Sequence, residues 1–128
     1  MVGSNYHQYY QKTKVGTASP GDLTLLLYEE FCKKLNMARV CFLKQETDQM
    51  LERIHGARAI IYEFIATLNF KYDLANQLNQ LYQYYLSRLN DFILYKQIEI
   101  LDEVIEFGKG FTETWRQALL IVKKDATV

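Results

Sequence analysis

Proline and glycine, the residues that most often interrupt regular structure, are scarce in this sequence. Its 128 residues include one proline and six glycines. Because turns draw heavily on both residues, their scarcity favours a few long helices over many short strands. Apolar residues make up 49% and charged residues 23%, a composition typical of a globular chain. We therefore expect one all-α domain with a hydrophobic core of its own.

An excess of charge of either sign is also missing, since 15 basic residues balance 15 acidic ones. Without a basic excess to neutralise phosphates, nucleic-acid binding is not expected. No apolar run reaches about 18 residues, so no membrane span is expected. The N-terminus lacks a cationic region followed by an apolar stretch, so we expect no secretory signal and a cytoplasmic location.

Metal ligands and catalytic motifs are sparse. The two histidines, His7 and His55, are too few for a metal constellation. Cys32 and Cys41 fall on opposite faces of one predicted helix and cannot form a disulfide with each other. No phosphate loop and no nucleophile next to a base is recognisable. The sequence therefore predicts no enzyme and no cofactor. The alternative that stays open is a phosphotransfer bundle that uses His55, which we otherwise interpret as an exposed side chain without a chemical role.

Four segments carry the apolar periodicity of helices, and the residues at that spacing are the predicted core lines. They are Leu23, Leu27, Phe31, Leu35, Ala38 and Phe42 in the first segment, Leu51, Ile54, Ile61, Ile65 and Leu68 in the second, Leu74, Leu78, Leu81, Tyr85, Leu89 and Phe92 in the third, and Leu101, Ile105, Thr112, Trp115 and Leu119 in the fourth. The first has a clear start, in which Ser19 can cap, Pro20 suits the first helical position and Asp22 places an acid in the first turn. Thr47 or Asp48 can cap the second helix, and Asp73 the third. The predicted helices span residues 20–44, 49–68, 74–95 and 97–123.

Helices joined by such short connections must pack as antiparallel neighbours. We predict an up-down-up-down four-helix bundle over residues 19–124. A flexible N-terminal arm, residues 1–18, precedes it, and a short tail, residues 125–128, follows. The arm is rich in tyrosine and could cover part of the bundle.

The second, third and fourth helices carry more apolar residues than a bundle helix usually needs. Two interpretations stay open. A tight bundle, helped by the arm, hides the wide stripes, or the stripes form a groove for an amphipathic segment of another chain. Self-association, as a weak homodimer, would use the same surface. The surplus residues, which are the predicted binding groove, are Ala57, Ile60, Phe64, Tyr82, Leu86, Ile93, Ile100, Val104, Phe107 and Phe111.

Gly108 and Gly110 lie inside the predicted fourth helix, where each glycine costs about 1 kcal/mol relative to alanine. Either close helix packing or a local kink explains them, or they let a bound chain approach the backbone.

Three segments, taken in order, resemble the flagellar secretion chaperone family, FliS. They are "YQKTKVGTASPGDLTLLLYEE", "LANQLNQLYQYYLSRL" and "EILDEVIEFGKGFTETWRQAL". The likeness covers nearly the whole chain. It departs from the family pattern at Glu29-Glu30, in the connector around Lys71 and at the two glycines of the last helix. The matching residues are Tyr10, Val15, Thr17, Ala18, Ser19, Pro20, Leu23, Leu27, Tyr28, Leu78, Leu81, Tyr82, Tyr84, Leu89, Glu103, Val104, Trp115 and Ala118.

The resemblance implies a cytoplasmic four-helix bundle that binds the C-terminal segment of flagellin. Such a chaperone keeps flagellin from polymerising early and helps deliver it to the flagellar type III export gate, without catalysis or a cofactor. It also implies an N-terminal arm that covers the empty groove or docks on the gate through a tyrosine, here Tyr10. Because His7 stands where the family has an apolar residue, Tyr6 or Tyr9 could share that contact, with Val15 beside them.

Overall fold

Four helices form an antiparallel bundle in the computed structural model, which describes residues 20–126. The helices are α1, Pro20–Leu43, α2, Thr47–Ala66, α3, Asp73–Tyr95, and α4, Ile98–Ala126. They pack in a ring, because α1 lies between α2 and α4, and α3 closes the ring against the same two helices. The contact between α1 and α2 is the most extensive of the four, and the contact between α2 and α3 is the least extensive. The predicted all-α four-helix bundle is confirmed.

The apolar line predicted for α1 is the line that enters the core. Leu23, Phe31, Leu35 and Ala38 are almost inaccessible to solvent. With Leu27, which is also buried, they recur every three to four residues, and this spacing keeps them on one face of the helix. Since α1 contacts both α2 and α4, this one face carries packing for half of the ring.

The helix ends differ from the predicted ones by a few residues. Thr47 and Asp48 lie inside the first turn of α2, and Glu46 takes the N-cap position without a side-chain hydrogen bond. Asp73 likewise belongs to the first turn of α3, where Tyr72 is the N-cap. The capping predictions for these three side chains are therefore wrong.

Two helices end in a left-handed backbone conformation without glycine. Gln45, just after α1, has a φ of 61°, and Lys96, just after α3, has a φ of 54°. The Lys96 amide donates to the Phe92 carbonyl, which closes the last turn of α3. Both residues border an open cleft of about 440 Å³ at the end of the bundle opposite the start of α1. The cleft is lined by Phe42, Leu43, Gln45, Thr47, Met50 and Lys96.

The buried faces of α2 and α3 are rotated from the predicted core lines. Leu51 and Ile65 of α2, expected in the core, are only half-buried. Leu74, expected in the core at the start of α3, is 63% exposed. Residues from the neighbouring arcs are buried in their place, because each helix is covered on two flanks by the helices beside it. These buried residues are Ala57, Ile60, Phe64, Ala75, Tyr82 and Leu86.

Candidate binding surface

The ten residues predicted to line a groove lie mostly inside the bundle. Ile93, Phe107 and Phe111 are half-buried and pack against the core. Burial of the other seven agrees with the interpretation that a tight bundle hides wide apolar stripes, so a partner would reach them only after a helix moved. Those seven are Ala57, Ile60, Phe64, Tyr82, Leu86, Ile100 and Val104.

A pair of tyrosines joins α1 and α3 across the core. The hydroxyls of Tyr28 and Tyr82 lie 2.9 Å apart in a buried hydrogen bond. The Tyr28 ring packs 4.3 Å, between centroids, from Phe64 of α2 and 5.3 Å from Phe111 of α4. All four helices therefore meet at Tyr28. Burial, and then the Tyr82 hydroxyl, raise the pKa of Tyr28 far above its ordinary value.

The same tyrosines carry the family resemblance, and other residues of that signature also bridge helices. The Trp115 indole Nε1 donates to the Gly21 carbonyl at the start of α1, at 3.0 Å. On the outside of the bundle, the Tyr84 hydroxyl of α3 donates to Glu103 of α4 at 2.5 Å. Sequence reasoning assigned these residues to helices but did not find the pairs, because a pair across the bundle leaves no local pattern.

The two glycines of α4 differ in their surroundings. A Cβ at Gly108 would lie 3.0 Å from Cys32 Sγ and 3.1 Å from the Phe31 ring, whereas a Cβ at Gly110 would have no neighbour within 4 Å. Gly108 therefore allows α4 to approach α1 closely, which favours the packing interpretation at that position. At Gly110 the backbone is open to solvent.

Several exposed apolar side chains lie at the end of the bundle where α1 starts. Because Trp115 binds the carbonyl of Gly21, the turns of α4 that follow, up to Ala126, extend past the start of α1. We call the exposed apolar residues of this region the apolar end. They belong to α4, to the first turn of α3 and to the connector between α2 and α3. The apolar end comprises Phe70, Tyr72, Leu74, Ala118, Leu120, Ile121 and Val122. The exposed fraction exceeds 60% for Tyr72, Leu74, Leu120, Ile121 and Val122.

Side chains suited to binding a metal ion are not grouped together in the described part of the chain. His55 is exposed on α2. Within residues 20–126 there is no group of three or more His, Cys, Asp or Glu that could hold a metal ion. Cys32 and Cys41 are both free, as predicted. None of the described helices combines the length and the apolar character that crossing a membrane requires.

The protein belongs to the class of all-α four-helix bundles, with an aromatic centre and exposed apolar residues at one end. Comparison with known proteins shows its family. Residues 2–122 match the family described as flagellar protein FliS. The chain is 30% identical over 125 residues to the flagellar secretion chaperone FliS of Bacillus subtilis, covering 98% of this chain and 94% of the relative. It is 28% identical over 119 residues to the FliS chaperone of Campylobacter jejuni, covering 91% and 93%. The chain belongs to the FliS family.

Proposed function

We propose that this protein is a cytoplasmic export chaperone that binds the C-terminal segment of flagellin. It keeps that segment from polymerising early and delivers it to the flagellar type III export gate. The work is binding, without catalysis and without a cofactor, by a monomer or weak homodimer. The observation that carries the proposal is the apolar end, a set of exposed apolar side chains at one end of a bundle of the FliS family.

The apolar end has the chemistry that a self-assembling cargo needs. An amphipathic segment aggregates through its apolar side, so a chaperone must cover that side. Burying apolar surface contributes roughly 25 cal/mol per Å², and this gain must exceed the free energy of ordering a flexible segment. A competing contact at the gate that shifts this balance would release the cargo without ATP.

The cargo surface that we propose starts at the apolar end and continues along the half-buried members of the predicted groove. Phe111 and Phe107 follow each other by one turn on α4, leading away from the apolar end. Ile93 lies on α3, farther from that end. Contact between the cargo and the seven buried members would require a helix to move aside, and stays a prediction.

Binding of the flagellin segment is tested by calorimetry. Titration of the full chain with about the last 50 residues of its own organism's flagellin is expected to give a one-to-one isotherm with a negative heat-capacity change. Ile121→Asp should weaken binding by about 10-fold or more, since it places a charge on the apolar surface that the cargo covers.

The matched control is Val40→Asp, because Val40 is also exposed but lies on α1, toward the opposite end of the bundle. It should bind as tightly as the unmodified chain. The absence of heat at every temperature, with the bundle shown to be folded, would contradict the proposed function.

The N-terminal arm is the proposed contact with the export gate, or a cover for the empty groove. Its residues Tyr6, Tyr9, Tyr10 and Val15 lie outside the described residues. The arm joins the bundle at Pro20, where α1 begins, and this is the end that carries the apolar surface. Tyr10→Ala should therefore lower gate binding and motility while leaving the fold intact. Unchanged binding and motility would show that Tyr10 has no such role.

A further inference from the structure

Arg58 lies on the flank of α2 that faces α3. Gly56, two residues earlier, abuts α1, since a Cβ there would lie 2.8 Å from Cδ of Lys34. Two residues turn a helix by about 200°. Because α2 has α1 on one side and α3 on the other, Arg58 points away from α1 and toward the junction with α3. Its side chain is half-buried there.

One nitrogen of the Arg58 guanidinium is buried without a hydrogen-bond partner. This atom, Nε, is the single buried side-chain nitrogen or oxygen, among the described residues, that makes no hydrogen bond. Three of the other four half-buried arginines, Arg39, Arg88 and Arg116, are paired with acids. Arg39 is paired with Asp102 at 2.7 Å, and Arg88 with Glu103 at 3.0 Å. A buried donor is costly when it has no acceptor, so the position of the Arg58 Nε is unfavourable in the empty bundle.

The surroundings of Arg58 form an apolar line along α2. Leu51 and Ile65 lie seven residues before and after it, and helical geometry places all three in one row. Both are half-buried, and Tyr62, one turn further along the same flank, is 52% exposed. The contact between α2 and α3 is also the least extensive between neighbouring helices in the ring. A row of partly covered apolar side chains around a half-buried arginine with an unsatisfied donor is matched by an amphipathic helix that carries an acid among its apolar residues.

The geometry points to Arg58 as the anchor for a carboxylate of the cargo. An Asp or Glu side chain on an amphipathic segment of flagellin would accept two hydrogen bonds from the guanidinium while the flanking apolar residues cover Leu51 and Ile65. Arginine suits this role because its planar fork binds a carboxylate in bidentate fashion. This inference rests on the proposed function and assigns to it a second cargo contact, on α2 rather than at the apolar end.

The test measures cargo binding and the stability of the empty bundle in the same variants. Arg58→Met keeps the length of the side chain and removes the charge. It should weaken binding of the flagellin segment by about 30-fold, because it leaves a cargo carboxylate without its partner. The affinity of Arg58→Lys for the segment should lie between those of the unmodified chain and Arg58→Met, since lysine keeps the charge but lacks the planar guanidinium. The midpoint of urea unfolding of Arg58→Met should be unchanged or higher, an effect opposite to that of a residue kept for stability.

Arg53→Met is the matched control. Arg53 lies one turn before Gly56, on the α1 flank of the same helix, and its loss should leave binding unchanged. Each Asp or Glu of the flagellin segment is then replaced by its amide. One of these replacements should weaken binding to the unmodified chain but cause no further loss of affinity for Arg58→Met. Equal binding by Arg58→Met and the unmodified chain would overturn the anchor while leaving the proposed function standing. Failure of the unmodified chain to bind would overturn both.

Discussion

Replacing Gly108 by leucine is expected to lower the free energy of unfolding by about 3 kcal/mol. Cys32 Sγ and the Phe31 ring already stand 3.0 and 3.1 Å from the place where a first side-chain carbon would go. Phe31 is itself almost fully buried, so it cannot turn away without disturbing the core. The added side chain therefore has to push α4 away from α1. Urea unfolding followed by circular dichroism measures the change.

The same substitution at Gly110 is the control. Because that position is exposed and has no neighbour within 4 Å, Gly110→Leu should raise the free energy of unfolding by up to about 1 kcal/mol, the gain expected from replacing a helical glycine. Equal changes at the two positions would mean that helix propensity alone decides, and that close packing of α1 and α4 at Gly108 does not.

Alkaline solution is expected to destabilise the bundle through its buried tyrosine pair. The pKa of Tyr28 is raised in the folded chain, first by burial and then by the Tyr82 hydroxyl, and the pKa of Tyr82 is raised by burial. In the unfolded chain both tyrosines titrate near the usual value of about 10. The unfolded state therefore loses protons that the folded state keeps, and stability falls as the pH rises above that value.

The expected size follows from the linkage relation. Tyr28 alone should contribute a loss of about 1.4 kcal/mol between pH values of roughly 9 and 11. Below the unfolded pKa the two states bind the same number of protons, so this contribution is constant there. Urea unfolding at a series of pH values measures the slope, and Tyr28→Phe, which has no hydroxyl to ionise, should make it shallower. An identical slope in that variant would mean that other groups cause the alkaline loss.

Much of the fold could be predicted because its signals are local. The Ser-Pro-Gly-Asp stretch predicts the start of α1, and the apolar spacing from Leu23 to Ala38 predicts its buried face. The end of α3 has no such signal. Lys96 closes that helix in a left-handed conformation that sequences usually mark with glycine or asparagine. The N-caps of α2 and α3 differ from the predicted ones because Thr47 and Asp73, whose side chains generally favour the cap position, lie inside the first helical turn here.

The binding surface was harder to predict because burial depends on neighbours. Ile60 and Phe64 look surplus when α2 is considered alone, since the helix already has an apolar line. Their burial follows from the position of α1 and α3 on two flanks of α2, which periodicity within one helix does not contain. The exposure of Ile121 and Val122 likewise depends on where α1 begins relative to α4.

The hydrogen bond between the Tyr28 and Tyr82 hydroxyls also favours one register of α1 against α3. Apolar packing alone tolerates sliding, because one leucine resembles the next leucine one turn away. A slip of α1 against α3 by one turn, about 5.4 Å, would separate hydroxyls that now lie 2.9 Å apart. Each would then be buried without its partner, at about 1–3 kcal/mol apiece. One polar contact in an apolar core thus selects a single alignment of two helices that are not neighbours in the ring.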